Sequence, residues 1–397
     1  MCNASRIFKG LVQAKESLIS SLNVPAVGLL YSYGVHRFYQ FLKDANITTL
    51  FRSPEEYGLP LILGGAEFTL EELTALYAGL GNNGKFRKLN YLVDETNREE
   101  VSLISPGSAY LALEIMKEVK RPGAEYYWHQ YSNQWPLAWK TGTSYGHKDG
   151  WAVGVSPEWT IGVWTGNFTG EGNKRLGGAK SAGPLLFNIF NLLPKNRYKS
   201  WFDEPEKELL KVEVCAETGY LAINDCPKKI ERKVSRRAKP LKQCPFHQSV
   251  YLSKDKQEQV CSLCWDEDST IKKSSLVYPP TLTQFLKERG HKFQAVPAHR
   301  KSCNSVSYKN QIAFIYPKNG AYLLVPKGFD GKYQKIKFQI ASSIKESTLF
   351  WYLDDDYIGT TKKKHTVYCD IKAGKHKLLI IDDNGNKKSI NFIAERN

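Results

Sequence analysis

A lysine, a threonine and a glycine follow one another at Lys140-Thr141-Gly142, the only Lys-Ser/Thr-Gly triplet in the sequence. On an apolar strand, this order places a cation and hydroxyl groups where they can hold a substrate carboxylate. The glycine removes a side chain at a point where a ligand must lie close to the backbone. A second motif, Ser21-Leu22-Asn23, lies upstream. The two motifs together predict a site for a carboxylate-bearing substrate.

Each of the polar motif residues also fits a purely structural role. Ser21 fits a helix-terminal serine, Asn23 fits a helix C-cap, and Lys140 fits a solvated strand residue. A triplet of this kind is common by chance. The functional interpretation therefore depends on the order and spacing of the two motifs rather than on either one alone.

Helical periodicity surrounds the first motif. Small and apolar residues recur at helical spacing over 10–24, and Pro25 ends the run, which predicts that Ser21 and Asn23 lie at the end of a helix. Further helices are predicted after Val35, from the capping box of Thr69 and Glu72 to Gly81, from Ser108 to Val119, and over 181–194.

The second motif lies among short aromatic and β-branched runs. Residues 137–139, 151–155 and 159–164 are such runs, and turn residues such as Ser156-Pro157-Glu158 separate them. They predict an antiparallel meander. Helices, a meander and a closing helix make residues 1–200 an α+β domain.

The rest of the chain divides in two. Residues 201–304 are predicted to be an irregular connecting region rich in cysteine and lysine. Residues 305–397 are predicted to be an all-β sandwich, because Ile336, Phe338 and Ile340 alternate with polar residues and Asp383-Asn384-Gly385 is a strong hairpin turn.

Composition limits the class of protein. The 397 residues are 42% hydrophobic, which is typical of a globular chain, and no run approaches the ~20 apolar residues of a membrane span. The first residues lack the apolar core of a signal peptide. The net charge of +16 favours an anionic neighbour, such as nucleic acid, acidic lipid or a cell-wall polymer, or else a solubilising surface.

The motifs, taken in order, resemble the transpeptidase domain of bifunctional class A penicillin-binding proteins. Five stretches and a closing hairpin carry the resemblance, which extends over nearly the whole chain. These are 21–27, Leu63-Gly64-Gly65, 139–145, 151–154, and the phrase Trp351-Tyr352-Leu353-Asp354 with its Asp-Asn-Gly turn. The resemblance implies a β-lactamase-like transpeptidase fold, present in part, followed by a C-terminal β-sandwich module.

The resemblance implies acyl transfer in peptidoglycan biosynthesis, with a D-Ala-D-Ala stem peptide as substrate and β-lactams as ligands. Ser21 and Lys140 would relay a proton, and Asn23 would bind the substrate backbone. Thr141, Gly142, Thr143 and Ser144 would line the substrate site, with Thr143 at the oxyanion hole and the carboxylate. The family implies the periplasmic face of the bacterial inner membrane, although no signal or anchor is recognisable in this chain.

One expected motif is missing. The family needs a nucleophilic serine and a lysine one turn later, Ser-x-x-Lys, before the Ser-x-Asn motif, and no residue before Ser21 fits. Chance matches occur at Ser253/Lys256, Ser269/Lys272 and Ser342/Lys345. We therefore expect a truncated, catalytically inactive member of an enzyme family, so whether this chain is itself an enzyme stays open.

Two other functions remain as alternatives. The first is a non-catalytic remnant that binds the cell wall or a partner protein through the C-terminal module. The second is a zinc-containing nucleic-acid-binding protein, which accounts for the charge but not for the motif order. We expect no nucleic-acid partner, because neither basic cluster, 228–242 or 362–364, is interleaved with aromatic residues as a nucleic-acid platform is.

The cysteines allow two interpretations. Cys244 and His247 followed by Cys261 and Cys264 have the spacing of a zinc knuckle. The resemblance implies an oxidising compartment, where disulfides compete, and it favours Cys215 with Cys226, and Cys244 with Cys261 or Cys264. On that basis we predict neither a metal site nor a cofactor.

Overall fold

A computed structural model describes most of the chain. It covers residues 10–92, 94, 99–130, 134–195, 200–238, 240–266, 269–290, 296–297, 299–300, 302–303, 312–329, 331–342, 347–382 and 387–396. The chain separates into two compact units, Met1–Val214 with Ile230–Leu241, and Cys215–Lys229 with Lys242–Asn397. The division into domains 1–200, 201–304 and 305–397 stays a prediction.

Within the described residues, the first unit combines seven α-helices with short sheets. The helices are α1 Ala14–Ile19, α2 Asn23–Tyr33, α3 Val35–Asp44, α4 Pro54–Tyr57, α5 Leu70–Gly81, α6 Pro106–Lys117 and α7 Gly183–Leu192. The strands are β1 Lys85–Phe86, β2 Val101–Ser102, β3 Ala138–Thr143, β4 Asp149–Val155, β5 Thr160–Gly166, β6 Leu209–Cys215 and β7 Lys229–Ser235. The helices predicted after Val35, from the capping box, from Ser108 and over 181–194 are confirmed.

The prediction of a single helix over 10–24 is wrong, because residues 10–13 are not helical and the chain turns between two helices at residues 20–22. The helix α1 ends at Ile19, Ser21 has a φ of 50°, and α2 begins at Asn23. Pro25 lies in the first turn of α2, where its missing N–H has no intrahelical partner to lose. The proline therefore starts a helix instead of ending one, and Asn23 is the first helical residue rather than a C-cap.

The predicted capping box of α5 is confirmed. Thr69 Oγ1 accepts a hydrogen bond from Glu72 N at 3.1 Å, and Glu72 Oε2 accepts one from Thr69 N at 3.2 Å. Glu72 also accepts three further hydrogen bonds, from Thr48 N, Thr48 Oγ1 and Thr49 Oγ1, each at 2.7 Å. Burial raises the pKa of Glu72, but these hydrogen bonds outweigh it and lower the pKa to about 2.

This depressed pKa predicts an acid-sensitive contribution to stability. The folded-state pKa lies below the unfolded value of 4.5, so the contribution is complete above pH 4.5 and is lost as the pH falls toward 2. Because Glu72 is partly open to solvent, we expect about 1–2 kcal/mol at pH 7. Glu72→Gln should lower the exchange free energy of the α5 amides by that amount at pH 7, but by much less near pH 2.

Glutamine is the informative replacement, since it retains the shape and one acceptor oxygen of the capping box. Glu71→Gln, one residue earlier and exposed, is the matched control and should change little. An equal loss for Glu72→Gln at both pH values would contradict a role for the carboxylate charge.

The predicted meander is confirmed as a three-stranded antiparallel sheet in the order β3-β4-β5. Its core contains Trp139, whose ring packs edge-on against Phe187 of α7 at a centroid distance of 5.0 Å. Trp139 Nε1 donates a hydrogen bond to Val119 O at 2.9 Å. These two contacts hold the start of β3 against helix α7 and the backbone of Val119.

The second unit is more regular than predicted between residues 201 and 304. It contains β8 His247–Leu252, β9 Gln259–Val260, β10 Ile271–Leu276 and α8 Pro280–Glu288. The three strands form an antiparallel sheet in the order β10-β8-β9. The prediction of an irregular region was therefore wrong here, because polar residues such as Lys272 and Ser274 obscure the alternation of the strands.

The predicted all-β module is confirmed. Its strands are β11 Ile312–Tyr316, β12 Ala321–Val325, β13 Ile336–Ser342, β14 Thr348–Leu353, β15 Asp356–Lys362, β16 Thr366–Cys369, β17 Gly374–Asp382 and β18 Lys387–Arg396. They form a three-stranded sheet, β11-β13-β16, and a five-stranded sheet, β12-β18-β17-β14-β15. The alternating residues Ile336, Phe338 and Ile340 are buried in one core, which also contains Trp351.

The predicted hairpin turn of the all-β module is described only by the two strands that flank it. The hairpin residues Asp383-Asn384-Gly385 lie outside the described residues, although β17 and β18 on either side pair antiparallel.

Among the described helices, none is long and apolar enough to cross a membrane. The mixture of helices and several sheets confirms the predicted α+β class.

Candidate functional site

Strand β3 carries the Lys-Thr-Gly motif from the core to the surface. Ala138 and Trp139 are buried, Lys140 and Thr141 are half-buried, and Gly142 and Thr143 are exposed. Within the described residues, β3 pairs only with β4, so its other edge is open. An open edge with exposed main-chain groups can accept an extended peptide as an additional strand.

Ser21 and Lys140 are brought together although 119 residues separate them. Lys140 Nζ donates a hydrogen bond to Ser21 Oγ, and it also donates one to Thr141 O at 3.1 Å. Ser21 occupies the left-handed region between α1 and α2 and is exposed. The two side chains are therefore in contact, and their roles in a common site stay a prediction.

Lys140 is not a solvated strand residue. Burial lowers the pKa of its ammonium below the ordinary value, because the charged form loses hydration. A lysine in this state gives up a proton more readily than an exposed lysine, while its charge still attracts an anion. It can thus exchange a proton with the hydroxyl that it touches.

The end of β3 is held by side-chain hydrogen bonds to the backbone. Thr143 Oγ1 accepts from Gly178 N at 3.0 Å, and Ser144 Oγ accepts from Asp149 N at 2.8 Å. A side chain added at Gly142 would meet Trp151 only at ordinary contact distance, 3.5 Å. Packing against these neighbours therefore does not require a glycine at this position.

Gly178 contacts the motif strand β3, and the sequence analysis did not single it out. It begins a short π-helical segment, Gly178–Ala182, directly before α7. A Cβ atom at this position would lie 2.5 Å from both Gly142 O and Trp151 O. The Gly177-Gly178 pair in the sequence was the available signal, since a glycine often marks close approach of two backbones.

Asn23 and the Ser-x-x-Lys matches complete the predicted set. Asn23 opens α2, two residues after Ser21, and is half-buried. Ser253 is followed by a turn in which Lys256 has a φ of 59°. Ser269 leads into strand β10, Ser342 ends β13, and Lys345 lies outside the described residues. Neither described match has the helical face that a serine–lysine pair needs.

The cysteines form two groups that the sequence analysis did not predict. Each group has four ligand atoms within 4.8 Å of one another. The first is Cys215, Cys226, Cys244 and His247, and the second is Cys261, Cys264, His299 and Cys303. None of the seven described cysteines, which include Cys369, is part of a disulfide.

The interpretation of Cys244, His247, Cys261 and Cys264 as one zinc knuckle is therefore wrong, and so is the pairing of Cys244 with Cys261 or Cys264. Tyr251 lies opposite Val260 in the sheet, so Cys261 is beside the far half of β8, whereas Cys244 precedes its first residue. Cys215 and Cys226 do share one group, but no disulfide joins them. The missed signal was the Cys-x-x-Cys to His-x-x-x-Cys spacing of 261–303.

Comparisons with known proteins agree with the sequence motifs. Residues 302–392 match the Penicillin-Binding Protein C-terminus Family. Over 186 residues, 47% of this chain and 24% of the relative, the sequence is 38% identical to penicillin-binding protein 1C of Escherichia coli K12. It is 27% identical over 237 residues to penicillin-binding protein 1A of Clostridium novyi, covering 55% of this chain and 26% of that protein.

The chain spans about a quarter of the length of these curated relatives. Among solved structures, it is similar to penicillin-binding protein 1A from Haemophilus influenzae, with a TM-score of 0.48 and 16% identity. That match covers 61% of this chain and 43% of the solved one.

Proposed function

From the confirmed resemblance of this chain to the C-terminal portion of penicillin-binding proteins, we propose that its first unit carries part of a D-Ala-D-Ala transpeptidase site. The substrate is the stem peptide of peptidoglycan, and β-lactams are ligands of the same site. The observation that carries the proposal is the hydrogen bond between Lys140 of the Lys-Thr-Gly strand and Ser21 of the Ser-x-Asn motif.

The open edge of β3 is the peptide-binding element. A stem peptide that pairs with β3 passes Gly142, where no side chain obstructs its backbone. Its terminal carboxylate then lies near the Lys140 ammonium and the Thr141, Thr143 and Ser144 hydroxyls. The charge attraction and the hydrogen bonds act together in a site from which water is partly excluded, and each interaction is stronger there than in water.

Ser21 and Lys140 together form a proton relay. The lowered pKa of Lys140 makes it able to give a proton to Ser21, and the serine hydroxyl can pass one on to a leaving amine. Asn23 supplies an amide for the substrate backbone. The N–H of Thr143 is proposed as an oxyanion donor, because it lies at the exposed end of the strand.

We assign no acyl-transfer nucleophile within residues 1–397. We propose that the chain by itself binds the substrate class but forms no acyl-enzyme, since none of its Ser-x-x-Lys matches lies in the first unit. Intact mass after incubation with a β-lactam should therefore show no added mass. A covalent adduct on any serine would overturn this part of the proposal.

Binding of a short peptide that ends in D-Ala-D-Ala tests the site itself. We expect Lys140→Met to weaken binding about tenfold or more, because a charge-assisted hydrogen bond to a carboxylate is worth about 1.5–3 kcal/mol. Methionine retains most of the length and the apolar stem of lysine. The measurement is the Kd from peptide titration of the full chain, followed by NMR or calorimetry.

Lys211→Met is the matched control, since Lys211 lies on β6 with its side chain 67% exposed. It should leave the Kd unchanged. A wild-type chain that does not bind the peptide, or equal affinity for wild type and Lys140→Met, contradicts the proposed site.

The alternative is a protein that binds the cell wall without chemistry, through the second unit. The net charge of +16 favours it, because peptidoglycan-associated polymers are anionic. Cosedimentation with purified cell wall that survives Lys140→Met would favour this alternative. In either case, we propose the outer face of the bacterial inner membrane as the location.

A further inference from the structure

The first cysteine group is a closed and buried cluster. Cys215 ends β6, and Cys226 lies in the turn before β7. Cys244 and His247 form a Cys-x-x-His turn at the start of β8. Exposed fractions are 1% for Cys215, 4% for Cys226 and Cys244, and 3% for His247. Four ligand-type groups from three chain segments therefore converge on one interior point.

The second group joins residues that are far apart in sequence. Cys261 and Cys264 form a Cys-x-x-Cys turn after β9, and His299 and Cys303 come from a segment 35 or more positions later. Backbone pairing holds the two segments together, because Arg300 N donates to Gln259 O at 2.9 Å. Arg300 Nε also donates to Glu258 Oε2 at 3.0 Å.

The sulfur–sulfur separations in the second group match a tetrahedral metal site and are too long for a disulfide. Cys261 Sγ is 3.9 Å from Cys264 Sγ and 3.7 Å from Cys303 Sγ, whereas an S–S bond measures about 2.05 Å. Thiolates bound to Zn²⁺ at about 2.3 Å in a tetrahedron lie about 3.8 Å apart. Sulfur and nitrogen ligands lie about 3.6 Å apart in the same geometry.

The histidine distances agree with this geometry in both groups. His247 Nδ1 is 3.4 Å from Cys215 Sγ and 3.5 Å from Cys244 Sγ. His299 Nε2 is 3.7 Å from Cys264 Sγ. One group uses Nδ1 and the other Nε2, and in each group it is the nitrogen nearest the sulfurs.

The other nitrogen of each histidine has an orienting partner. His247 Nε2 lies 3.3 Å from Glu217 Oε2, and His299 Nδ1 lies 3.3 Å from Arg300 O. Metal-binding histidines commonly donate their second N–H to a carboxylate or a carbonyl, which fixes the ring and its tautomer. Backbone N–H groups also point at the sulfurs: Ile223 N donates to Cys226 Sγ at 3.4 Å, and Cys261 N to Cys264 Sγ at 3.3 Å.

We propose that this chain binds two structural Zn²⁺ ions, one at Cys215, Cys226, Cys244 and His247, and one at Cys261, Cys264, His299 and Cys303. Each site has three thiolates and a neutral imidazole, so binding displaces the three thiol protons. All four positions are protein ligands, which is typical of a closed structural site rather than a catalytic one.

The two ions stabilise a part of the chain with a small core. The apolar residues packed around the first group are Tyr220, Ala222, Ile223 and Phe246. The second ion ties the segment after α8 to the turn after β9. Ligands of this kind bind only the folded chain, so zinc affinity becomes folding free energy. The inference does not depend on the transpeptidase proposal, because it concerns other residues and another chemistry.

Metal content of the full chain, purified without chelators or added metal, is the deciding measurement. We expect about two zinc ions per chain by elemental analysis. Cys226→Ser and His299→Ala should each reduce this number to about one, since each removes one ligand from a different site. Cys369→Ser, which replaces a cysteine outside both groups, should leave it at two.

A second readout covers variants that fold poorly. Cobalt added to the metal-free wild-type chain should give the visible absorption of tetrahedral thiolate coordination, saturating at two equivalents. Intact mass without reductant should show the thiols unoxidised. Disulfides in place of zinc, iron in place of zinc, or a zinc content near zero for the wild-type chain would overturn the proposal.

Discussion

Gly178→Ala is expected to displace strand β3 and destabilise its sheet by about 3 kcal/mol. The added Cβ would lie 2.5 Å from Gly142 O and Trp151 O, and 2.8 Å from Thr141 Cβ. Two of these three neighbours are backbone atoms of paired strands, which cannot turn aside as the end of a long side chain can. The strand or the π-helical segment must therefore move.

The displacement should also affect ligand binding. Gly178 N is the donor to Thr143 Oγ1, so a shift of the segment releases the end of β3 that carries the hydroxyl groups proposed to bind the substrate carboxylate. We expect peptide affinity to fall with stability. Amide hydrogen exchange of β3 and β4 measures the first effect, and peptide titration measures the second.

Gly28→Ala is the matched control. Gly28 is an exposed residue of helix α2, and a Cβ there would meet nothing within 4 Å. Alanine is the better helix former by up to about 1 kcal/mol, so this change should be neutral or stabilising. Similar effects of the two substitutions would show that the close approach at Gly178 does not restrain the strand.

The elements of the first unit that could be predicted from sequence have local signals. The Thr69–Glu72 capping box and the aromatic runs of the meander each lie within a few residues, and backbone geometry responds directly to them. The alternation of apolar residues at Phe338 and Ile340 can likewise be recognised within a single strand. These predictions depended on no contact between distant parts of the chain.

The wrong or missing predictions involve competing signals or distant contacts. Pro25 is compatible both with the end of a helix and with a first turn, and the left-handed Ser21 decides for the second. In the second group, the proposed zinc ligands lie up to 42 positions apart in the sequence. An interpretation based on cysteines that are close in sequence therefore joined residues that belong to two different groups. The approach of Gly178 to β3 is likewise a long-range contact.

The Ser21–Lys140 contact shows what motif order adds. Neither residue stands out from its neighbours in the sequence, and each is compatible with an ordinary structural role. Their predicted proximity came from the order of motifs in a family, and the folded chain places a hydrogen bond between them across 119 positions. The contact is independent of that resemblance, because it results from the packing of the α1–α2 turn beside β3.

Trp351→Ala is expected to have the largest effect on the second unit. Trp351 is 0% exposed and lies on β14, between Gly359 of β15 and Ile380 of β17. Removing a fully buried tryptophan leaves a large cavity and typically costs about 3–5 kcal/mol. Its Nε1 also donates to Thr361 Oγ1 at 2.8 Å, and that hydroxyl would lose its donor.

Two further variants separate packing from hydrogen bonding. Trp351→Phe keeps an aromatic ring but removes the donor, so we expect a smaller loss, about 1–2 kcal/mol. Tyr322→Ala removes an aromatic side chain from β12 of the same sheet, but that side chain is 68% exposed, so the loss should stay below about 1 kcal/mol. Hydrogen exchange of the β14 and β17 amides measures all three variants. If Trp351→Ala costs no more than Tyr322→Ala, the sandwich core does not depend on its central tryptophan, because exchange would then reflect only the backbone pairing of the strands.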